Sequence, residues 1–204
     1  MERFGAAEAF FRATRRFRNE DGQTAKGMAF VQMYAAYEYT VNTAVQASID
    51  AIMAHAHAYA DLRPSLLAIF LQPQLQSLKA CAPKNEWENR LALFEMAYSA
   101  KAAVIPNVIV PSNGTHYRQP QLRLTFKVMG IKRLPARRIR HLQRIDEVVE
   151  HRNAIAHGRE TPGAIGRRYS RKDIRRSMRQ VKSVCLLFVD VLQSHCSIAT
   201  EHRR

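Results

Sequence analysis

Between Thr24 and Tyr59 the large apolar residues Phe30, Met33, Tyr37, Val41, Val45, Ile49 and Ile52 recur at three- and four-residue steps. That spacing draws one stripe down an α-helix, and no two-residue alternation competes with it. The segments that follow also read as helices, which sets the fold class as all-α. Leu62 to Ala80 reads as a second helix, opened by Pro64 and bent or split at Pro73. Glu86 to Ala100 carries Trp87, Leu91, Phe94 and Tyr98 on one side, the spacing of a buried face rather than of a base-stacking platform. Ala103 to Gln119, with Pro106, Pro111, Asn113-Gly114 and Pro120 at its edges, is expected to be a surface connection.

Gln121 to Met129 is a short helix stopped by Gly130. Pro135 opens the next, Ala136 to His157, whose apolar line is Ile139, Leu142, Ile145, Val149 and Ile155. Ser170 is a good N-cap for the last helix, with Ile174, Met178, Val181, Cys185, Phe188 and Leu192 as its core line. No internal repeat is present, so residues 1–204 are expected to form one helical domain, with a basic amphipathic segment at 1–23 and a basic loop at 158–169.

The polar run His151-Arg152-Asn153-Ala154-Ile155-Ala156-His157-Gly158 concentrates an arginine, an amide and a histidine where a helix stops at a glycine. Asn153 and His157 are i and i+4 neighbours, whereas Arg152 sits about 140° around the axis from His157 and must reach toward it. The pair joins a permanent, bidentate cation to a side chain that ordinarily titrates near pH 6.5. Those two groups suit a phosphodiester: His157 to move protons, Arg152 to hold the charge that builds on phosphorus, and Asn153 to orient the imidazole or the phosphate. Arginine, asparagine and histidine are also ordinary helix-end residues, favoured by the dipole and followed by an ordinary C′ glycine.

The Arg-Asn-x3-His spacing, and the wider wording Arg-Asn-Ala-Ile-Ala-His-Gly, resemble the signature of the HEPN superfamily, in particular its RiboL-PSP-HEPN and MAE_28990-like groups. The stretch Leu-Thr-Phe-Lys-Val-Met-Gly-Ile and the order of the helices extend the resemblance upstream. It implies an all-α HEPN-type bundle, with a long N-terminal core helix and a motif helix packed against the C-terminal helix. It also implies a homodimer in which two copies of the motif line one composite active site, and a metal-independent endoribonuclease acting by 2'-OH attack, as a toxin or an antiviral defence effector. A non-catalytic RNA-binding or scaffolding HEPN protein is the alternative. Glu38, a charge inside a mostly apolar helix, needs a partner. Members of the resembled groups commonly carry an acid here, and Arg152 is the expected mate. Related toxins silenced by a nucleotidyltransferase often have a tyrosine two residues past the motif histidine. Arg159 stands there, leaving a bound antitoxin, a defence-system partner or no inhibitor at all.

Charge supports a polyanionic partner. Lys+Arg 32 against Asp+Glu 17 gives a net charge of +15, beyond what solubility requires, and RNA is the first candidate. Two clusters flank the motif: Arg137, Arg138 and Arg140, with Lys132, Arg133 and Arg144, before it; Arg167, Arg168, Arg171, Lys172, Arg175, Arg176 and Arg179, with Lys182, after it. Arg159 adds to them, and both clusters are expected to converge on the helix end that holds Arg152 and His157. A DNA-binding helical regulator would use the same arginines and leave the motif unexplained.

No apolar run approaches the length of a membrane-spanning helix, so no membrane partner is expected. The Arg-rich stretch from Met1 to Arg18 contains Glu2 and Glu8 and lacks the apolar run of a leader peptide. Three cysteines without Cys-x2-Cys pairing fit a reducing cytoplasm. His55 and His57 are expected on different helix faces, and His151 lies too far from His157 for a helical zinc pair. Neither a metal nor a cofactor is implied.

Overall fold

The computed structural model describes residues 2–105 and 117–203. Among these residues there are nine α-helices and no strands, the only β-type pairing being two isolated bridges. The described residues of Met1–Ala44, Ser112–Arg123 and Leu134–Asp190 form one compact unit, and those of Val45–Pro111, Leu124–Arg133 and Val191–Arg204 a second.

The first unit begins with α1 (Glu2–Ala13), whose Phe4, Ala7 and Phe11 recur at helical spacing and are buried. It continues into α2 (Asn19–Ala54), which starts on Glu20 and Asp21, acids placed where the helix dipole favours them. The long stripe is covered as its spacing requires: Phe30, Met33, Tyr37 and Val41 are essentially inaccessible. The helix ends at Ala54 and not near Tyr59, because Ala56 takes a left-handed φ of 49° that no α-helix can continue through.

The motif helix α7 (Ile139–Ala156) buries Leu142, Ile145, Val148 and Val149. Its expected first core residue, Ile139, is exposed, since the helix begins only there. The C-terminal helix α9 (Arg171–Cys196) buries its whole expected line from Ile174 to Leu192. Ser170 and Asp173 form a reciprocal cap: the Asp173 amide donates to Ser170 Oγ at 3.2 Å, and the Ser170 amide to Asp173 Oδ2 at 3.1 Å. Arg144 Nε on α7 donates to Gln180 Oε1 on α9 at 3.1 Å.

Part of the segment 158–169, expected as a loop, is helical. Thr161 Oγ1 accepts from the Ala164 amide at 3.2 Å and opens a short helix, α8 (Pro162–Arg167). It lies backbone to backbone on α2. A Cβ added at Gly27 would fall 1.9 Å from the Pro162 carbonyl oxygen, and one at Gly166 would fall 1.9 Å from the Gln23 carbonyl oxygen. Two glycines are what permit that approach.

In the second unit the expected split at Pro73 is present, giving α3 (Pro64–Phe70) and α4 (Gln72–Ala80). The next helix, α5 (Glu86–Ala97), overturns an expectation. Trp87, Leu91, Phe94 and Tyr98 are 77, 60, 61 and 68 % exposed, and Ala97 is the one buried residue of the helix. Its main packing partner is α4, which buries no residue itself, so this helical pair is too thin to cover an aromatic face. α6 (Gln119–Val128) is stopped by Gly130 at φ 81°. The expected connection from Ala103 to Gln119 falls largely outside the described residues.

Candidate active site at the end of the motif helix

The last turn of α7 is closed by its own backbone. His157 is the C-cap, its amide donating to the Asn153 carbonyl at 3.0 Å, and Gly158 follows in the left-handed region at φ 67°. The Glu160 amide returns to the Ala154 carbonyl at 3.1 Å. Glycine at C′ lets the chain turn away at once, which leaves the His157 side chain exposed.

Arg152 is half-buried and held by two neighbours. Its Nη1 donates to Asn153 Oδ1 at 3.0 Å, and its guanidinium carbon lies 4.7 Å from the centre of the Tyr34 ring. The Tyr34 hydroxyl donates to Glu38 Oε1 at 2.7 Å. Burial first, and then the Glu38 carboxylate, push the Tyr34 hydroxyl far above the ordinary tyrosine range, so it remains a donor. Glu38 therefore meets Tyr34, and among the described residues no ion pair joins it to Arg152. The aromatic ring stands between the charges, binding the cation on its face and the carboxylate at its edge. Asn153 is only 8 % exposed, and its side-chain oxygen is turned to Arg152. The amide thus orients the arginine rather than the imidazole of His157.

A second polar cluster, built on the face of α7 that carries His151, escaped the sequence reading. His151 Nε2 lies 2.6 Å from the Tyr169 hydroxyl, which donates to Glu147 Oε1 at 2.7 Å. The imidazole also packs edge-on against Phe30, with ring centres 4.7 Å apart. Burial lowers its pKa despite the opposing pull of Glu147. The signal available in sequence was Glu147 and His151 at i and i+4; Tyr169 comes from beyond α8 and no local spacing announces it. Lys26 Nζ donates to the Tyr169 carbonyl at 2.6 Å and ties this end of α8 to α2.

Glu150 gathers two arginines. Its carboxylate accepts from Arg118 Nη2 at 2.8 Å and from Arg159 Nη2 at 3.1 Å, and these bonds hold its pKa below the usual carboxylate range. Arg159 stands beside the motif turn, yet its charge is already paired.

The cluster before the motif does not converge on the motif turn as expected. Arg137, Arg138 and Arg140 lie at the other end of α7, which at 18 residues is about 27 Å long. They meet the arginines of α9 instead: Arg140 and Arg176 share one cleft, Arg137 and Arg179 another. Arg168 is paired with Glu160, Arg176 lies 3.6 Å from Asp173, and Arg167 Nε donates to Gln23 Oε1 at 3.2 Å. Arg171 donates to the Phe11 and Thr14 carbonyls and braces α1. Lys172, Arg175 and Arg179 are exposed.

His55 and His57 are not on a helix, since α2 has ended, and their rings gather with that of His202 at centre distances of 5.3 to 5.7 Å. No group of three or more His, Cys, Asp or Glu that could hold a metal ion occurs among the described residues. None of the described helices is long and apolar enough to cross a membrane.

No curated protein and no solved structure matches the chain. The family model HEPN_MAE_28990, describing MAE_28990-like HEPN proteins, matches residues 9–200, nearly the whole length and including both sides of the Arg152–His157 turn. The all-α bundle agrees with that match, which points to a nuclease-type or RNA-related role. The chain belongs to the MAE_28990-like HEPN family.

Proposed function

We propose that the protein is a metal-independent endoribonuclease that cuts RNA by attack of a 2'-hydroxyl on the adjacent phosphodiester, with Arg152 and His157 as the reacting groups. The observation that carries this reading is the posture of Arg152, fixed by the Tyr34 ring and by Asn153 at the turn where His157 is exposed. A guanidinium whose orientation is set before substrate arrives stabilises the charge developing on the non-bridging oxygens without reorganising. His157 exchanges the proton of the attacking 2'-oxygen or of the departing 5'-oxygen. Glu38 acts at one remove, by anchoring Tyr34, and is a positioning residue together with Asn153.

Two proton transfers occur on opposite sides of phosphorus, and the motif turn of one chain offers a single exposed imidazole. A second copy supplies the other, so the reading includes a homodimer with a composite site. Arg140 and Arg176, which share a cleft, carry the flanking RNA backbone. A toxin or antiviral defence effector fits this chemistry, restrained by an antitoxin or by a defence-system partner.

The test is cleavage of total RNA and tRNA by the purified protein in EDTA. Products ending in a 2',3'-cyclic phosphate and a 5'-hydroxyl are expected. A 5'-phosphate product or an absolute need for Mg²⁺ overturns the mechanism, and RNA binding without cutting favours the non-catalytic alternative.

A further inference from the structure

A cavity of about 520 Å³ lies between α1 and the first half of α9, within the first unit and built from residues other than those of the motif turn. Its size falls in the range of small-ligand pockets. The charge around it is one-sided. Arg12 and Arg15 come from the end of α1 and its 3-10 continuation, and Lys172, Arg175 and Arg179 from one face of α9 at i, i+3 and i+7. None of these five takes part in an ion pair among the described residues. The one carboxylate on the lining, Glu8, is already bound to Lys182 at 3.2 Å.

The walls are held rigidly. Arg171 crosses from α9 to the carbonyls of Phe11 and Thr14, and its guanidinium carbon sits 4.0 Å above the Phe11 ring. Phe11 and Met178, both almost fully buried, form the apolar floor. Burial first, and then the crowding of Arg175, Arg15 and Arg18, lower the Arg171 pKa. Such crowding costs stability in the empty protein, and a multivalent anion in the cavity would relieve it.

We propose that the α1–α9 cleft is a binding site for a chain of linked phosphates, either free polyphosphate or the 5'-triphosphate end of an RNA. A single-stranded backbone presents its charges one per nucleotide, whereas five cations around one cavity match a ligand whose charges are adjacent. This site stands whether or not the protein cleaves RNA.

Calorimetric titration of the full chain would use three probes: inorganic tripolyphosphate, a short RNA with a 5'-triphosphate, and the same RNA with a 5'-hydroxyl. The comparison proteins are Arg15→Ser/Arg175→Ser and His157→Ala. Wild type is expected to bind at least one phosphate-chain probe more tightly than the 5'-hydroxyl RNA. The double variant should lose about tenfold in affinity per arginine removed, and His157→Ala should bind tripolyphosphate as wild type does. Which probe binds more tightly separates the free chain from the RNA end. The double variant should also melt no lower than wild type without ligand, and lose the rise in melting temperature that tripolyphosphate gives wild type. Equal affinity for the 5'-hydroxyl RNA, no binding of either phosphate-chain probe at low salt, or an unchanged double variant would each overturn the proposal.

Discussion

In α7 the residues Leu142, Ile145 and Val149 are fully covered, whereas Trp87, Leu91 and Phe94 of α5, with Tyr98 just past its end, stand in solvent at the same kind of spacing. Both helices have a side that favours burial, and only one has neighbours able to bury it. α7 is joined to α9 through Arg144 and Gln180 and buries its apolar line, while α5 is supported chiefly by α4, a short helix without a buried residue of its own. The difference teaches that periodicity gives a helix its orientation preference, and that coverage is decided by elements far away in sequence. It also separates two uses of a surface: α7 ends in polar groups presented by a firm support, and α5 presents apolar area directly.

The comparison can be broken at four points. The largest effect belongs to His157→Ala, which should abolish RNA cleavage while circular dichroism and melting temperature stay at wild-type values, because its side chain lies outside the core that supports it. Wild-type cutting by that variant, with contaminating nuclease excluded, removes α7 from the chemistry. Next is Ile145→Ala, a cavity in a fully buried site, for which a loss of about 2–5 kcal/mol is expected in urea titration. The matched change Leu91→Ala should cost under about 0.5 kcal/mol. Similar losses at the two positions would mean that α5 is covered in solution.

Acid should act on the buried imidazoles. Burial lowers the pKa of His151 on α7, and burial with the neighbouring His57 and His55 lowers that of His202 to about 4. An unfolded chain takes up these protons first, so the stabilisation is complete above the ordinary pKa near 6.5 and is lost as pH falls from there toward the folded values. Melting temperature should therefore drop between pH 7 and pH 5, and His202→Gln should flatten the slope. A melting temperature that does not change over this interval contradicts the burial of both groups. The smallest effect is spectroscopic. Trp87 is the one tryptophan, and its native emission should be that of a solvated indole, open to acrylamide quenching and little changed by urea. A blue-shifted, protected emission would show that something covers α5.

Much of the scaffold was readable from residue types alone. The stripe of α2, the break at Pro73, the stop at Gly130 and the Ser170 cap each express a local steric or hydrogen-bonding rule, and local rules act wherever the chain folds. The Arg152–His157 turn was legible for the same reason, since a helix end and its C′ glycine are local. What escaped depends on remote partners. Tyr34 separates Glu38 from Arg152, Tyr169 completes a cluster with His151, and α9 draws Arg137 and Arg140 away from the motif. No spacing along the chain carries that information. α8 was missed because six residues starting with proline and containing two glycines look like loop, and it is the contact through Gly27 and Gly166 that holds them.

That contact has a mechanical corollary. With main chain seated directly on main chain, α8 cannot translate along α2, because either carbonyl would have to climb over the neighbouring residue's side chain. The segment behind the motif turn is therefore held at both ends, by this contact on α2 and by the Glu160 amide bonded to the Ala154 carbonyl across Gly158. A ligand or partner that meets the exposed histidine therefore finds it on a turn braced from both sides, and gains its contact without first ordering the chain.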